Sequence, residues 1–320
     1  MPDIAILFKT SDKTPMVLEE KHIQMIRDHN PNGEVRAFET EEEMLATDFD
    51  PEVLISWGQF VPNTFCNRCT NLKWIQGISA GVEGLMSLDV AKKIPVTKMA
   101  GVHGVPMSET TMCYILYFLH SFPQIMANQR KHYWKKPENP APTEAMNKTV
   151  AILGMGAIGS EVARKCKFFG MKVIGCKRTP TPMEYVDEMY STAEMDKVLG
   201  MADFVVCLIP HSPESEKTFG AEQFAQMKNN AVFISIGRGK VIDFDALVDA
   251  LNNGTIAGAA LDALDPEPLN EDSPLWDMEN VVITPHCSAD SPYYFDRAFE
   301  VMCENLDRYV KGEELLHLVR

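Results

Sequence analysis

The segment TVAILGMGAIGSEVARK, residues 149–165, constrains the fold more than any other stretch of the chain. An apolar run from Thr149 to Leu153 leads into Gly154, Gly156 and Gly159, and a helical pattern follows at once. A G-x-G-x-x-G on its own is weak evidence, but a strand before it and a helix after it supply the context of a dinucleotide-binding turn. Gly154 permits the tight turn, Gly156 lets a pyrophosphate approach the backbone, and Gly159 lets the helix pack closely on the strand. The helix start, Ala157 and Ile158, then offers unpaired N–H groups and a positive dipole end to the phosphates. The bland alternative is a plain strand–turn–helix with incidental glycines.

The next strand, MKVIGC, ends on Lys177, Arg178 and Thr179. An NAD site usually carries Asp or Glu at the end of this strand, to accept hydrogen bonds from the ribose hydroxyls. Two cations and a hydroxyl suit a ribose 2′-phosphate instead, which needs charge-assisted donors. NADP(H) is therefore the expected cofactor, with NAD(H) left open. The alternative reading of the same residues is a solvated basic turn.

Short apolar runs alternate with helical patterns along the whole chain, the signature of parallel α/β layers. DIAILF, EVRAF, VLISW, KWIQ and PVTKM read as strands in the first hundred residues. TVAIL, MKVIGC, DFVVCLI, AVFISI, IAGAALDAL and NVVIT form a second series. A long helical stretch is expected from Met107 to about Phe122, QIMANQRKHYW follows it, and the proline-rich KKPENPAPTEA reads as a surface loop. The closing helix YYFDRAFEVMCENLDRYV gathers Phe295, Ala298, Phe299, Met302, Leu306 and Tyr309 on one face and is placed to return to the first domain. At 320 residues and 45% hydrophobic composition, two domains are expected.

Charge narrows the function classes. Thirty Lys and Arg against 45 Asp and Glu leave a net −15, which argues against nucleic-acid and anionic-membrane binding. No apolar run approaches the ~18 residues of a membrane span, and MPDIAILFKT lacks a signal peptide's features, so a cytoplasmic protein is expected. Cys66 and Cys69 form a C-x-x-C without a second pair at zinc spacing, and read as two thiols on one face of a short helix rather than a metal site. Cys113, Cys166, Cys207 and Cys303 lie in apolar stretches and read as core packing.

Three further strands end on chemistry. VFISIGRGKVID sets Arg238 between two glycines, AALDALDPEPL supplies Asp262, Asp265 and Glu267, and NVVITPHCSAD ends on His286. Ligands of open α/β sheets bind beyond the strand carboxyl ends. A guanidinium there can grip a carboxylate, and a carboxylate beside an imidazole makes an acid/base pair. Taken singly, each has a plain alternative: a surface arginine, a solvated acid, a satisfied histidine.

Taken together, GMGAIGSEVARKCKFFGMKVIG, CLIPHSPESEKTF, FISIGRGKVID, GAALDALDPEPL and VVITPH resemble the successive signatures of the D-isomer-specific 2-hydroxyacid dehydrogenases. LKWIQGISAGVEGL and GVPMSETTM extend the resemblance upstream to about Leu72, while the first seventy residues share only the strand–helix pattern. The resemblance implies two α/β domains with substrate in the cleft between them. A Rossmann-type doubly wound domain would span residues 102–289, and a flavodoxin-like substrate domain residues 1–101 and 290–320. Position by position, it implies that Arg238 binds and polarises a 2-oxo acid, that His286 shuttles the proton, and that Glu267 orients His286 and favours its charged form. Asp262 matches the acid that binds the nicotinamide carboxamide, Pro210 packs near the adenosine, and Ile236 and Gly237 border the nicotinamide. Gly81 and Val82 would offer N–H groups to the substrate carboxylate.

Lys177 departs from the Asp of the family's NAD-using members and is similar to its NADP-preferring glyoxylate and hydroxypyruvate reductases. The residues after His286 are unusual for those reductases, which leaves the substrate open. Trp57, Gln59 and Phe60 are candidates for selecting its side chain, with simple packing as the alternative. The apolar helix SETTMCYILYFLHSF predicts a homodimer along residues 107–134, the family's two-fold interface. A nucleotide-sensing, corepressor-like protein is the competing class. A formate-type dehydrogenase is disfavoured because Glu267, not Gln, precedes the His.

Overall fold

The computed structural model describes residues 1–8, 17–57 and 61–319. Strands that are apolar on both faces can be sheltered only by helices on both sides, and IAIL, VLIS, FVVC, VFIS and GAAL are all fully buried along their length. The chain divides into two compact units, Met1–Val102 with Asp290–Arg320, and His103–Ala289.

The first unit runs β1 (Ile4–Leu7), α1 (Glu20–His29), β2 (Val35–Phe38), α2 (Glu41–Ala46), β3 (Val53–Ser56), α3 (Asn63–Arg68), β4 (Trp74–Gly77), α4 (Glu83–Met86) and β5 (Val96–Thr97). Its parallel sheet has the order β2-β1-β3-β4-β5. That is the flavodoxin-like order.

The second unit runs α5 (Gly104–Leu119), α6 (Phe122–Arg130), β6 (Thr149–Leu153), α7 (Ala157–Phe168), β7 (Lys172–Lys177), β8 (Glu188–Ser191), α8 (Met195–Met201), β9 (Phe204–Cys207), α9 (Ala221–Gln226), β10 (Val232–Ser235), α10 (Phe244–Asn252), β11 (Gly258–Leu261) and β12 (Val281–Ile283). Its seven parallel strands take the order β12-β11-β10-β9-β6-β7-β8, the doubly wound Rossmann arrangement with one added edge strand. The two-domain α/β expectation holds in both sheets.

The last helix, α11 (Tyr294–Lys311), belongs to the first unit. Phe295, Ala298, Phe299, Met302 and Leu306 are buried in that unit's core with Ile4, Ile6 and Trp74, and Tyr309 stacks on Trp74. Gly312 closes the helix at φ 72°. A C-terminal glycine in the left-handed region is the usual helix stop.

Three local expectations change. The helix expected from Met107 to Phe122 runs from Gly104 and ends at Leu119, because Ser121 adopts φ 54° and Pro123 opens a separate helix. β8, with Glu188 and Ser191 at its ends and only half-buried, lacks the apolar run that marks a strand, and is seen only through its pairing with β7. Cys113 is exposed rather than packed in the core, because α5 is apolar on more than one face and Cys113 lies on the outward one. Cys166, Cys207 and Cys303 are buried.

Candidate active site

The strand order of the second unit's sheet reverses between β6 and β9, with β7 and β8 built on one side and β10 to β12 on the other. Beyond the carboxyl ends of the strands at such a reversal lies the ligand crevice of this architecture. The glycine turn after β6 is shaped by close contacts. Gly154 has φ 106°, and a Cβ there would stand 2.8 Å from the carbonyl carbon and oxygen of Leu208. A Cβ on Gly159 would stand 2.5 Å from the Gly154 oxygen, whereas one on Gly156 would meet nothing within 4 Å. Gly156 caps α7 without any side-chain hydrogen bond, so the first-turn N–H groups at Ala157, Ile158 and Gly159 face an open cradle. A dinucleotide pyrophosphate fits that cradle, and any side chain at 156 would fill it.

Lys177 is the last residue of β7 and is half-buried, while Arg178 and Thr179 are exposed. Among the described residues neither cation forms an ion pair, and the Lys177 Nζ lies 3.7 Å from the Met183 sulfur. Glu214, after β9, has its carboxyl held below the usual range, first by the Ser212 side chain, then by its own backbone N–H, with a weaker pull from Arg178. In the same turn, exposed Pro210 accepts a 2.8 Å hydrogen bond from the Ser215 hydroxyl.

Buried Ile236 follows β10, and its N–H lies 3.4 Å from the Cys207 carbonyl. A Cβ on Gly237 would press to within 3.2–3.3 Å of the backbone at Cys207, Leu208 and Ile209. At Gly239 a Cβ would stand 2.1 Å from the Leu264 oxygen, which leaves no room for any other residue. The backbone is thus pinned on both sides of Arg238, whose exposed guanidinium, among the described residues, donates only to the Gly237 carbonyl, at 2.9 Å.

Two ion-pairing groups meet beyond β11 and β12. His286 Nδ1 lies 2.9 Å from Glu267 Oε2 and 3.1 Å from Oε1, and Leu264 N–H donates to the same Oε1 at 2.8 Å. His286 has φ 51°, held by hydrogen bonds of 3.0 Å from its N–H to the carbonyls of Asp262 and Thr284. Left-handed backbone at a non-glycine residue is strained and persists where the surroundings enforce it. A carboxylate only accepts, so Nδ1 carries the shared proton and Nε2 is the nitrogen left to gain or lose one. Asp262 is buried at the end of β11, accepting from the Thr284 hydroxyl at 2.6 Å and from the N–H groups of Cys287 and Ser288.

The second unit therefore brings Arg238, Asp262, Glu267 and His286 to one edge of its sheet. A model of the D-isomer specific 2-hydroxyacid dehydrogenase NAD-binding domain matches residues 112–288. The chain belongs to the D-isomer specific 2-hydroxyacid dehydrogenase family. Among its dehydrogenase relatives, glyoxylate/hydroxypyruvate reductase B of Klebsiella pneumoniae is 30% identical over 295 residues, 89% of this chain and 88% of that one. The NADPH-dependent glyoxylate/hydroxypyruvate reductase of Sinorhizobium meliloti, solved in complex with NADP and sulfate, superimposes with a TM-score of 0.81 at 28% identity, covering 99% of this chain and 98% of that one. A family member from Lactobacillus delbrueckii ssp. bulgaricus, solved in its NAD-complexed form, gives 0.82 at 25% identity, covering 99% and 100%.

In the first unit of this dehydrogenase, Gly81 and Val82 lie in the half-buried loop after β4, where the Ser79 hydroxyl donates to the Gly81 carbonyl. Trp57 follows β3 and packs among Phe8, Tyr294 and Phe295. Gln59 and Phe60 lie outside the described residues. Two residues that sequence reading passed over are Thr284 and Tyr114. The threonine stands directly before the Pro-His pair and was legible as a hydroxyl beside the site, but the tyrosine is hidden in an apolar helix.

Proposed function

We infer that the protein reduces short 2-oxo acids to D-2-hydroxy acids with NADPH as the hydride donor. The observation that carries this reading is the His286–Glu267 pair, held at 2.9 Å on the same sheet edge as Arg238, whose guanidinium forms no ion pair among the described residues. Glyoxylate and hydroxypyruvate are the first candidate substrates, by likeness to the reductases of Klebsiella and Sinorhizobium.

When bound, the nicotinamide supplies the hydride to C2 of the acid. Arg238 grips the substrate carboxylate and 2-oxo oxygen, drawing electron density from C2. Gly81 and Val82 are assigned to substrate binding. The charged His286 ring delivers the Nε2 proton to the forming alkoxide, and Glu267 holds Nδ1 so that Nε2 is presented. The neutral ring takes that proton back in the oxidative direction. Asp262 receives the carboxamide, Ile236 and Gly237 border the nicotinamide, and Pro210 lies by the adenosine.

The NADP preference rests on Lys177, Arg178 and Thr179, two cations and a hydroxyl where β7 ends. Trp57 is assigned to the substrate's side chain. A second copy of the chain is assigned to the outward face of α5, where Met112, Leu116, Tyr117, Phe122 and Phe169 line a groove of about 570 Å³. None of the eight cysteines forms a disulfide among the described residues, and no helix there is long and apolar enough to cross a membrane. We place the protein in the reducing cytoplasm on that basis.

A panel of 2-oxo acids assayed with NADPH tests the reading. Glyoxylate or hydroxypyruvate should be reduced to the D-hydroxy acid or its achiral equivalent, and a chain that binds NADPH but turns over no 2-oxo acid would be a nucleotide sensor instead.

A further inference from the structure

Tyr114 is buried on the inward side of α5, and its hydroxyl lies 2.5 Å from Thr284 Oγ1. Thr284 Oγ1 lies in turn 2.6 Å from Asp262 Oδ1. Counting protons fixes the direction of this chain. A carboxylate only accepts, so the single threonine proton goes to Asp262 and the tyrosine must donate to the threonine. Burial pushes the Tyr114 phenol well above its ordinary range, which keeps that donor in place at any working pH.

The relay ends on a buried carboxylate with no cation paired to it among the described residues. Oδ1 is crowded by donors: the Thr284 hydroxyl, Cys287 N–H at 3.0 Å and Ser288 N–H at 3.2 Å. Among the described residues, Oδ2 receives only Ser288 N–H, at 3.1 Å. A carboxylate oxygen has two acceptor directions, so Oδ2 retains one. Asp262 N–H is itself fixed to the Ser235 carbonyl at the end of β10. The relay therefore holds the carboxylate in the one rotation that loads Oδ1 and opens Oδ2.

We propose that Tyr114 is a positioning residue for the nicotinamide end of the cofactor, acting through Thr284 to keep Asp262 Oδ2 open to the carboxamide N–H₂. This rests on the reading of Asp262 as the carboxamide acceptor. It puts a determinant of cofactor binding on a helix that the glycine turn and the basic triplet do not include.

The test uses the full-length protein and Tyr114→Phe, which removes the hydroxyl and keeps the ring. Dissociation constants are measured by calorimetry for three probes: NADPH, its 3-acetylpyridine analogue, in which a methyl replaces the amide nitrogen, and adenosine 2′,5′-bisphosphate, which has no nicotinamide. Tyr114→Phe should weaken NADPH by about three- to tenfold, the scale of one neutral hydrogen bond, and leave the other two probes unchanged. Thr284→Val should behave alike, Thr284→Ser should restore binding, and in turnover KM for NADPH should rise while KM for the 2-oxo acid stays. Equal weakening of all three probes, or of none, overturns the relay. Wild-type protein that binds NADPH no better than the acetyl analogue overturns the Asp262 reading itself, and the proposal with it.

Discussion

The Glu267 carboxylate is bound on two sides, by His286 Nδ1 at 2.9 Å and by the N–H of Leu264 at 2.8 Å. The backbone contact stops the carboxylate from rotating away, so the imidazole it holds keeps one orientation. Glu267→Gln preserves size and hydrogen bonding and removes the countercharge of the proton-donating ring. Single-turnover reduction by this variant should therefore slow, while its dissociation constant for NADPH stays that of the wild type. Stopped-flow reduction and calorimetry check this, and an unaltered rate would mean that the charge of Glu267 does not serve the proton donor.

Lys177 and Arg178 set the second expectation. Each charged hydrogen bond to a 2′-phosphate contributes about 1.5–3 kcal/mol, so kcat/KM should favour NADPH over NADH by at least about a hundredfold. Lys177→Asp with Arg178→Ala should reverse most of that preference. Equal use of the two cofactors by the wild-type enzyme would reduce the basic turn to solvated surface.

Gly239 has no space for a side chain, because a Cβ would lie 2.1 Å from the Leu264 oxygen. Gly239→Ala must push Leu264 aside, and Leu264 is what anchors Glu267. Overpacking of this kind costs about 1–3 kcal/mol. Urea denaturation should show that loss, and kcat should fall with it; unaltered stability and activity would show that the two segments slide apart freely.

Thiol chemistry reads both the core and the assembly. Burial pushes Cys66, Cys166, Cys207 and Cys303 up to about 12, and Cys69 and Cys176 up to about 11. Raised values keep these thiols protonated at pH 8, and only the thiolate attacks. Iodoacetamide at pH 8 should leave all six unlabelled in the native protein, as read by peptide mass spectrometry. Cys113 is exposed on the outward face of α5 and should label rapidly in the monomer but slowly in the dimer. Fast labelling of Cys113 in a sample that scatters as a dimer would place the interface elsewhere.

Much of this was legible in the sequence because parallel α/β layers write themselves as buried apolar runs. Among the described residues, eleven of the twelve strands fall on stretches read as strands from the sequence, among them VFIS and GAAL, whose neighbours Arg238 and Asp262 could be placed at strand ends from pattern alone. β8 was invisible because Glu188 and Ser191 are polar and its pairing with β7 comes from tertiary contact. Cys113 was misassigned because composition does not tell the inward face of an apolar helix from the outward one. Tyr114 went unseen for the same reason, since its function lies in a contact with Thr284 170 residues away.

Single-turnover reduction with NADPH already bound reads out whether His286 is the acid in a 2-oxo acid reduction. His286→Gln should bind NADPH as the wild type does and reduce glyoxylate or hydroxypyruvate about 10²–10⁴-fold more slowly, the scale of a lost general acid. A His286→Gln enzyme whose single-turnover rate matched the wild type would show that His286 is not the proton donor.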